Sequence, residues 1–306
     1  VSAAWVAGVT RARGMLVRRL GTPEARRIAA AGTLEDALRG LATTPYFRQP
    51  ASGISLPAAQ RAVTATLLWH LRVLAGWLPR RGVECLRMLA SGFEIANIEA
   101  HFRRLSGSGA EPPPYPLGAL ATVWSRLART PDPEALRAAL IASPWRDSGG
   151  TAAAMAVTLR LTAAARTAAR IPPAVRWSAG RAALLVARER FVHDRPLPAT
   201  AIGPAVGVLG TAVHAPTYRD YRRRLPAAAG WALHGIDGPA DLWQAEGRWW
   251  RDVEQEGRRM ARRARYDMVP VVGAVAVLST DAWRTRAVLE LAADASAPPE
   301  DFDALV

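Results

Sequence analysis

Apolar residues recur at three- and four-residue steps through most of this chain, and strict alternation of apolar and polar residues is rare. That period predicts amphipathic helices rather than half-buried strands. One stripe runs Val83, Leu86, Ala90, Phe93, with Asn97 as its next position, and predicts a single helix from about Val83 to Leu105. Others are predicted over Ala4 to Leu20, about Ala58 to Leu78, from near Leu242 onwards, and about Val271 to Ala293. Local signals punctuate them. Thr22 reads as an N-cap with Pro23 at the first helical position. Thr33 caps Leu34 to Leu41 with Asp36 at the capping-box position, and Pro45 ends that short helix by disfavouring helical backbone at Thr44. Tyr46 and Phe47 then follow as aromatic anchors against neighbouring helices.

The chain writes this short helix twice. "TLEDALRGLATTPYFRQP" begins at Thr33 and "DPEALRAALIASPWRD" at Asp132. With one inserted residue, Asp36-Ala37-Leu38-Arg39 falls on Glu134-Ala135-Leu136-Arg137, and Thr44-Pro45-Tyr46 falls on Ser143-Pro144-Trp145. The Gly-, Ser- and Pro-rich stretch Ser106 to Pro116 separates the two occurrences as the clearest linker. A second break, "VHDRPLPATAIGP", opens a third segment that matches less well but again ends in a long helix. The pattern predicts an all-α fold of three helical repeats, residues 1–110, 111–200 and 201–306. Asn97 is a polar amide on an apolar stripe. It either fixes register between helices through hydrogen bonds or lies partly exposed at the stripe's edge.

Composition narrows the chemistry. Half of the 306 residues are hydrophobic, enough for a large core. The net charge is +14, and all 40 basic residues are Arg. Without Lys there is no P-loop lysine, Schiff-base lysine or Ser-Lys pair. The single cysteine, Cys85, excludes an internal disulfide framework, suits a reducing cytosol, and reads as a small core residue. The beginning of the chain lacks a signal-peptide layout, and the longest apolar run, Met268 to Leu278, has eleven residues where a span needs about 18–20. A soluble or peripheral protein is expected.

Reactive constellations are not found. None of His70, His101, His193, His214 and His234 lies four residues from another, and no metal-ligand spacing occurs. The glycines of Gly203 to Gly210 do not follow a nucleotide-loop order, and no G-x-S-x-G elbow exists. No catalytic residue, metal or cofactor is therefore assigned. Arg258, Arg259, Arg262 and Arg263 gather at the end of the helix beginning near Leu242, whose apolar stripe is Leu242, Trp249, Val253, Met260 and Ala264. They form either a solvated face that compensates the helix dipole or a surface for an acidic partner, anionic lipid headgroups or nucleic acid. Eleven tryptophans read as core or interface anchors or as base-stacking platforms, and "YRDYRRRLP" from Tyr218 is the strongest nucleic-acid candidate.

Arg11 to Gly14, Thr22 to Ala31 and Thr33 to Tyr46 together resemble the N-terminal region of the V/A-type ATPase C-subunit family, which is related to the d-subunits of vacuolar ATPases. "FEIANIEAHFRRL" is similar to that family's aromatic-Asp-x-x-Asn segment followed by Arg: Phe93, Glu94 (in place of Asp), Asn97, Ile98 and Arg103 stand at those places. In the closing helix Asp281 and Arg286 fit the family pattern, while Ser279 takes an acidic place and Arg284 the Asn place. The resemblance extends along the whole chain, with Pro45 and Tyr46 in its short-helix motif. It implies three helical domains in a pseudo-threefold funnel and a non-catalytic central-stalk rotor component. Such an adapter joins a proteolipid rotor ring to the shaft proteins, on the cytoplasmic face of the membrane, for ion transport linked to ATP hydrolysis or synthesis. Two other readings compete: a basic helical nucleic-acid-binding protein, and a degenerate paralogue that has left the rotary complex.

Overall fold

In the computed structural model, which describes residues 3–46, 53–108 and 111–294, every regular element is helical. The α-helices are α1 (Ala3–Leu16), α2 (Thr22–Ala29), α3 (Leu34–Ala42), α4 (Leu56–Ala75), α5 (Arg80–Leu89), α6 (Ser91–Leu105), α7 (Trp124–Leu127) and α8 (Pro133–Ile141). They continue as α9 (Ala152–Arg170), α10 (Val175–Ala187), α11 (Ala199–Leu209), α12 (Tyr218–Arg224), α13 (Ala227–Gly230), α14 (Leu242–Ala261) and α15 (Met268–Ala293). No strand occurs among the described residues. Phe47, the start of the loop after it, and the closing tail from 295 lie outside them.

Most boundaries follow the local signals, and the departures have physical causes. The helix foreseen from Val83 to Leu105 is two, α5 and α6, parted at Ala90. The N-cap of α2 is Gly21 rather than Thr22, because Gly21 has φ 75°, a left-handed backbone that glycine adopts without a Cβ clash. α15 begins at Met268, earlier than expected, because the Asp267 carboxylate accepts the Val269 N–H (2.9 Å). Pro270 sits in its first turn, where its missing N–H has no intrahelical partner to lose.

The chain divides into two compact units, Val1–Gly82 with Trp250–Val306, and Val83–Trp249. This division does not follow the sequence segments at 110 and 200. The reason is visible in the packing: the last helix of each segment packs on the opening helices of another. In the first unit α15 lies against α1, α2, α3 and α4. In the second, α6 packs on α7, α8 and α9, and α10 packs on α11 and α13. Among the described residues of unit two, two apolar cores stand out. One gathers Ile95, Ile98 and Phe102 of α6 with Leu136, Leu140 and Trp145 around Met155 and Leu159 of α9. The other gathers Val157 and Leu161 of α9 with the alanines of α10, Ala201 and Ala205 of α11, and Tyr221. α9 therefore serves both cores with alternate faces.

In unit one α14 and α15 meet backbone to backbone. A Cβ on Gly273 would stand 2.5 Å from the Gly257 carbonyl oxygen and 2.7 Å from the Ala261 nitrogen, so only glycine fits there.

Candidate functional site: buried carboxylates on the motif helices

The two proline exits share one hydrogen-bond grammar. In the first, Thr44 donates both its N–H (2.9 Å) and its hydroxyl (2.7 Å) to the Leu41 carbonyl, and Tyr46 N–H donates to Thr44 Oγ1 (3.3 Å). In the second, Ser143 donates N–H (2.9 Å) and hydroxyl (2.7 Å) to the Leu140 carbonyl, and Trp145 N–H donates to Ser143 Oγ (3.1 Å). Pro45 and Pro144 have no N–H with which to continue the helix, so the preceding hydroxyl replaces the missing pairing. Each turn delivers its aromatic ring inward: Tyr46 is 2 % and Trp145 0 % exposed. The helix starts repeat as well. Thr33, Asp132 and Thr217 cap α3, α8 and α12 by accepting the N–H of Asp36 (3.1 Å), Ala135 (2.7 Å) and Asp220 (3.1 Å).

In unit one the ring of Tyr46 reaches a carboxylate. Asp281 is fully buried on α15 and accepts three bonds, from Leu20 N–H (2.8 Å), Gly21 N–H (2.8 Å) and the Tyr46 hydroxyl (2.7 Å). It thereby fixes the chain where it enters α2. Arg284, one turn on and equally buried, sits with Nη1 3.8 Å from Asp281 and donates from Nη2 to Glu254 (2.5 Å). Glu254 also accepts from Arg258 Nε (3.1 Å). Burial alone would raise the Glu254 carboxyl, but Arg284 and Arg258 outweigh it and hold the pKa below the usual carboxylate value. The Tyr46 phenol is pushed well above its ordinary value, by burial first and then by the charge of Asp281.

In unit two the corresponding acid is Glu94 on α6, 1 % exposed. Its Oε1 accepts the N–H groups of Thr122 (3.0 Å), Val123 (2.8 Å) and Trp124 (2.7 Å) at the start of α7. A carboxylate at a helix N-terminus satisfies otherwise orphaned donors and meets the positive end of the dipole. Phe93 packs edge-on against Tyr115 (centroids 5.5 Å apart). Asn97, 2 % exposed, accepts the Tyr115 N–H (2.7 Å) and donates to the Tyr115 carbonyl (2.9 Å). Its amide thus pins the connecting segment rather than the register of two helices. Arg103 grips Glu111 through Nε (2.5 Å) and Nη2 (2.9 Å), a second stitch on the same segment. The stretch read as a linker is tied to α6 at both Glu111 and Tyr115. His101 bonds Thr130 Oγ1 (3.0 Å), and burial together with Arg104 lowers its pKa. Beside Trp145, Arg166 stacks at 5.1 Å, and burial lowers its pKa against the pull of Glu94.

The other singled-out residues divide. Arg286 is exposed, whereas Arg284 is the buried arginine of the closing helix. Arg258 turns to Glu254, while Arg259, Arg262 and Arg263 are exposed, the last two beyond the end of α14. Arg13 caps that end, donating to the carbonyls of Ala261 (3.0 Å) and Arg263 (2.6 Å). Cys85 is buried, and burial pushes its thiol up to about 12. Glu254 was missed by sequence reasoning; its one local signal is the four-residue spacing to Arg258 on α14.

Chemically, both sites are anchors. At each carboxylate, main-chain N–H groups at a helix entrance supply the donors, joined at Asp281 by the Tyr46 hydroxyl. Among the described residues no group of three His, Cys, Asp or Glu side chains comes together as a metal site requires. No helix of the described residues is long and apolar enough to cross a membrane. Neither protein-family models nor curated proteins give a match to this sequence.

Proposed function

We propose that the chain is a non-catalytic central-stalk component of a V/A-type rotary ATPase, joining a proteolipid ring to the shaft proteins on the cytoplasmic face of the membrane. In this reading it is built of three helical repeats arranged as a pseudo-threefold funnel. The observation that carries the proposal is the packing of closing helices: α6 on α7 to α9, α10 on α11 and α13, and α15 on α1 to α4. Three segments that each lend their last helix to the next, with the final one returning to the first, is the connectivity a threefold closed arrangement needs. The matched caps at Thr33, Asp132 and Thr217 and the matched exits at Tyr46 and Trp145 support the repeats. Of the residues resembling the family motifs, Glu94 and Asp281 with Tyr46 hold helix entrances and Asn97 and Arg103 pin a connecting segment, which suits a rigid adapter that transmits torque. Arg259, Arg262 and Arg263 are the cations proposed to meet the ring or its lipid headgroups.

Affinity purification of tagged protein from gently solubilised native membranes tests this. Co-recovery of a proteolipid ring with shaft proteins is expected, and it should weaken when the three exposed arginines become glutamine. Recovery of nucleic acid, or of neither, from membranes that contain an intact rotary ATPase overturns the reading.

A further inference from the structure

Between Asp36 and Glu84 the chain contains no Asp or Glu, yet carries Arg39, Arg48, Arg61, Arg72, Arg80 and Arg81. Within this acid-free stretch, α4 buries Val63, Leu67, Leu71 and Leu74 and turns Ala65, Trp69, Arg72 and Gly76 outward, at helical spacing. Trp69 is 50 % and Trp77, just past the helix, 51 % exposed, whereas Trp145, Trp177 and Trp249 are buried. α1 brings more apolar surface to the same end. The Trp5 ring lies against Gly82, where an added Cβ would stand 3.2 Å away, and Gly8 lies against the Trp77 carbonyl. Val6, beside them on α1, is 40 % exposed. Arg80 and Arg81 open α5, whose first turn holds no acid. Cations at a helix N-terminus oppose the macrodipole, and both arginines are exposed.

We propose that this end of unit one, with Trp69, Trp77, Arg72, Arg80 and Arg81, is a docking face for an anionic lipid surface. Tryptophan favours the headgroup level because its ring is apolar and its N–H is polar, and arginines reach phosphates while laying their stems on apolar neighbours. Clustered arginines add electrostatic attraction to anionic headgroups. Exposed Val6 on α1 fits a lipid interface and has no part in base stacking, so the lipid surface is favoured over nucleic acid. Trp69 lies on the last turns of α4 and Trp77 immediately after its end, and both rings are half exposed. The inference stands apart from the rotor reading: a chain that never meets a proteolipid ring would still carry this face.

The test is flotation of the purified full chain with protein-free vesicles. One set is phosphatidylcholine, the other phosphatidylcholine mixed with phosphatidylglycerol. Binding is expected only to the anionic vesicles, with quenching of tryptophan emission by lipids brominated on their acyl chains in the unmodified protein. Arg72→Gln, Arg80→Gln and Arg81→Gln should each weaken binding about fivefold, the factor corresponding to about 1 kcal/mol per surface arginine. W69A with W77A should abolish the quenching, while W243A, at an exposed tryptophan of the other unit, leaves it intact. Equal binding to neutral vesicles, no binding to either, or binding indifferent to all these variants overturns the proposal. So does tighter, salt-sensitive binding to an oligonucleotide that the same variants abolish.

Discussion

Asp281 and Glu94 perform the same task with different parts. Each is a buried acid on a motif helix, each takes three donors, and each secures the entrance of a helix earlier or later in the chain. The shorter Asp281 collects two amides and completes its set with the phenol of Tyr46. The longer Glu94 reaches three successive amides and needs nothing from the aromatic at the corresponding exit, where Trp145 leaves its Nε1 without a partner. The number of donors is what the two sites share, and the aromatic is free to change once the main chain supplies all of them. A second difference is charge. Asp281 is backed by buried Arg284 and Glu254 and, beyond them, half-exposed Arg258, while Glu94 sits near half-buried Arg166.

That contrast orders the consequences of breaking each site. Asp281→Ala strands the Gly21 amide, the Tyr46 hydroxyl and one face of Arg284 in a buried place, and the Leu20 amide in a half-buried one. Removing one partner of a buried ionic network costs about 3–5 kcal/mol, so this is the largest effect, read as a fall in urea midpoint at unchanged slope. Glu94→Gln keeps one acceptor, and the amides it releases belong to half-buried residues that water reaches. It should cost about 1–3 kcal/mol. Equal losses for the two variants would mean that the charge network behind Asp281 contributes nothing. Tyr46→Phe removes one donor from Asp281 and leaves the ring packed, an expected loss of about 1 kcal/mol.

The Thr33 cap, the proline exits and the buried identity of Tyr46 and Trp145 were legible because they are set by residues within a few positions of each other, whereas the cap read at Thr22 falls on Gly21. Asn97 was legible as a buried amide requiring partners, but its partner, Tyr115, lay in a stretch whose Gly, Ser and Pro content reads as loose linker. Arg284 and Glu254 were not legible as a pair, since their spacing of 30 residues crosses a turn and two helices. The same limit hid the sharing of closing helices: periodicity shows which face of α6 or α15 is buried, and nothing in it shows against what. Ala90 parted a helix that its stripe had joined, because a continuous apolar stripe is equally compatible with two helices that change direction while burying the same side.

Acid should reveal the smallest difference. His101 in unit two has a folded pKa below its ordinary 6.5, because burial and Arg104 disfavour the imidazolium. The unfolded chain therefore binds its proton first, and stability contributed by neutral His101 is present above about pH 6.5 and lost as pH falls through the folded value. Glu254 in unit one has a folded pKa below 4.5. Its contribution is present above the unfolded carboxylate value and is lost only at lower pH, as the folded carboxylate takes up its proton. The two windows do not coincide, so thermal midpoints followed from neutral to acid should fall in two steps. H101Q should remove the upper step and leave the lower, and E254Q should leave the upper and shrink the lower, which Asp36, Glu111 and Asp147 share, at the cost of a lower midpoint throughout, since it weakens the pairs with Arg284 and Arg258. A single step insensitive to His101 would mean that the imidazole, despite its bonds to Thr130 and Arg104, is protonated equally in both states, and that unit two owes nothing to its neutrality.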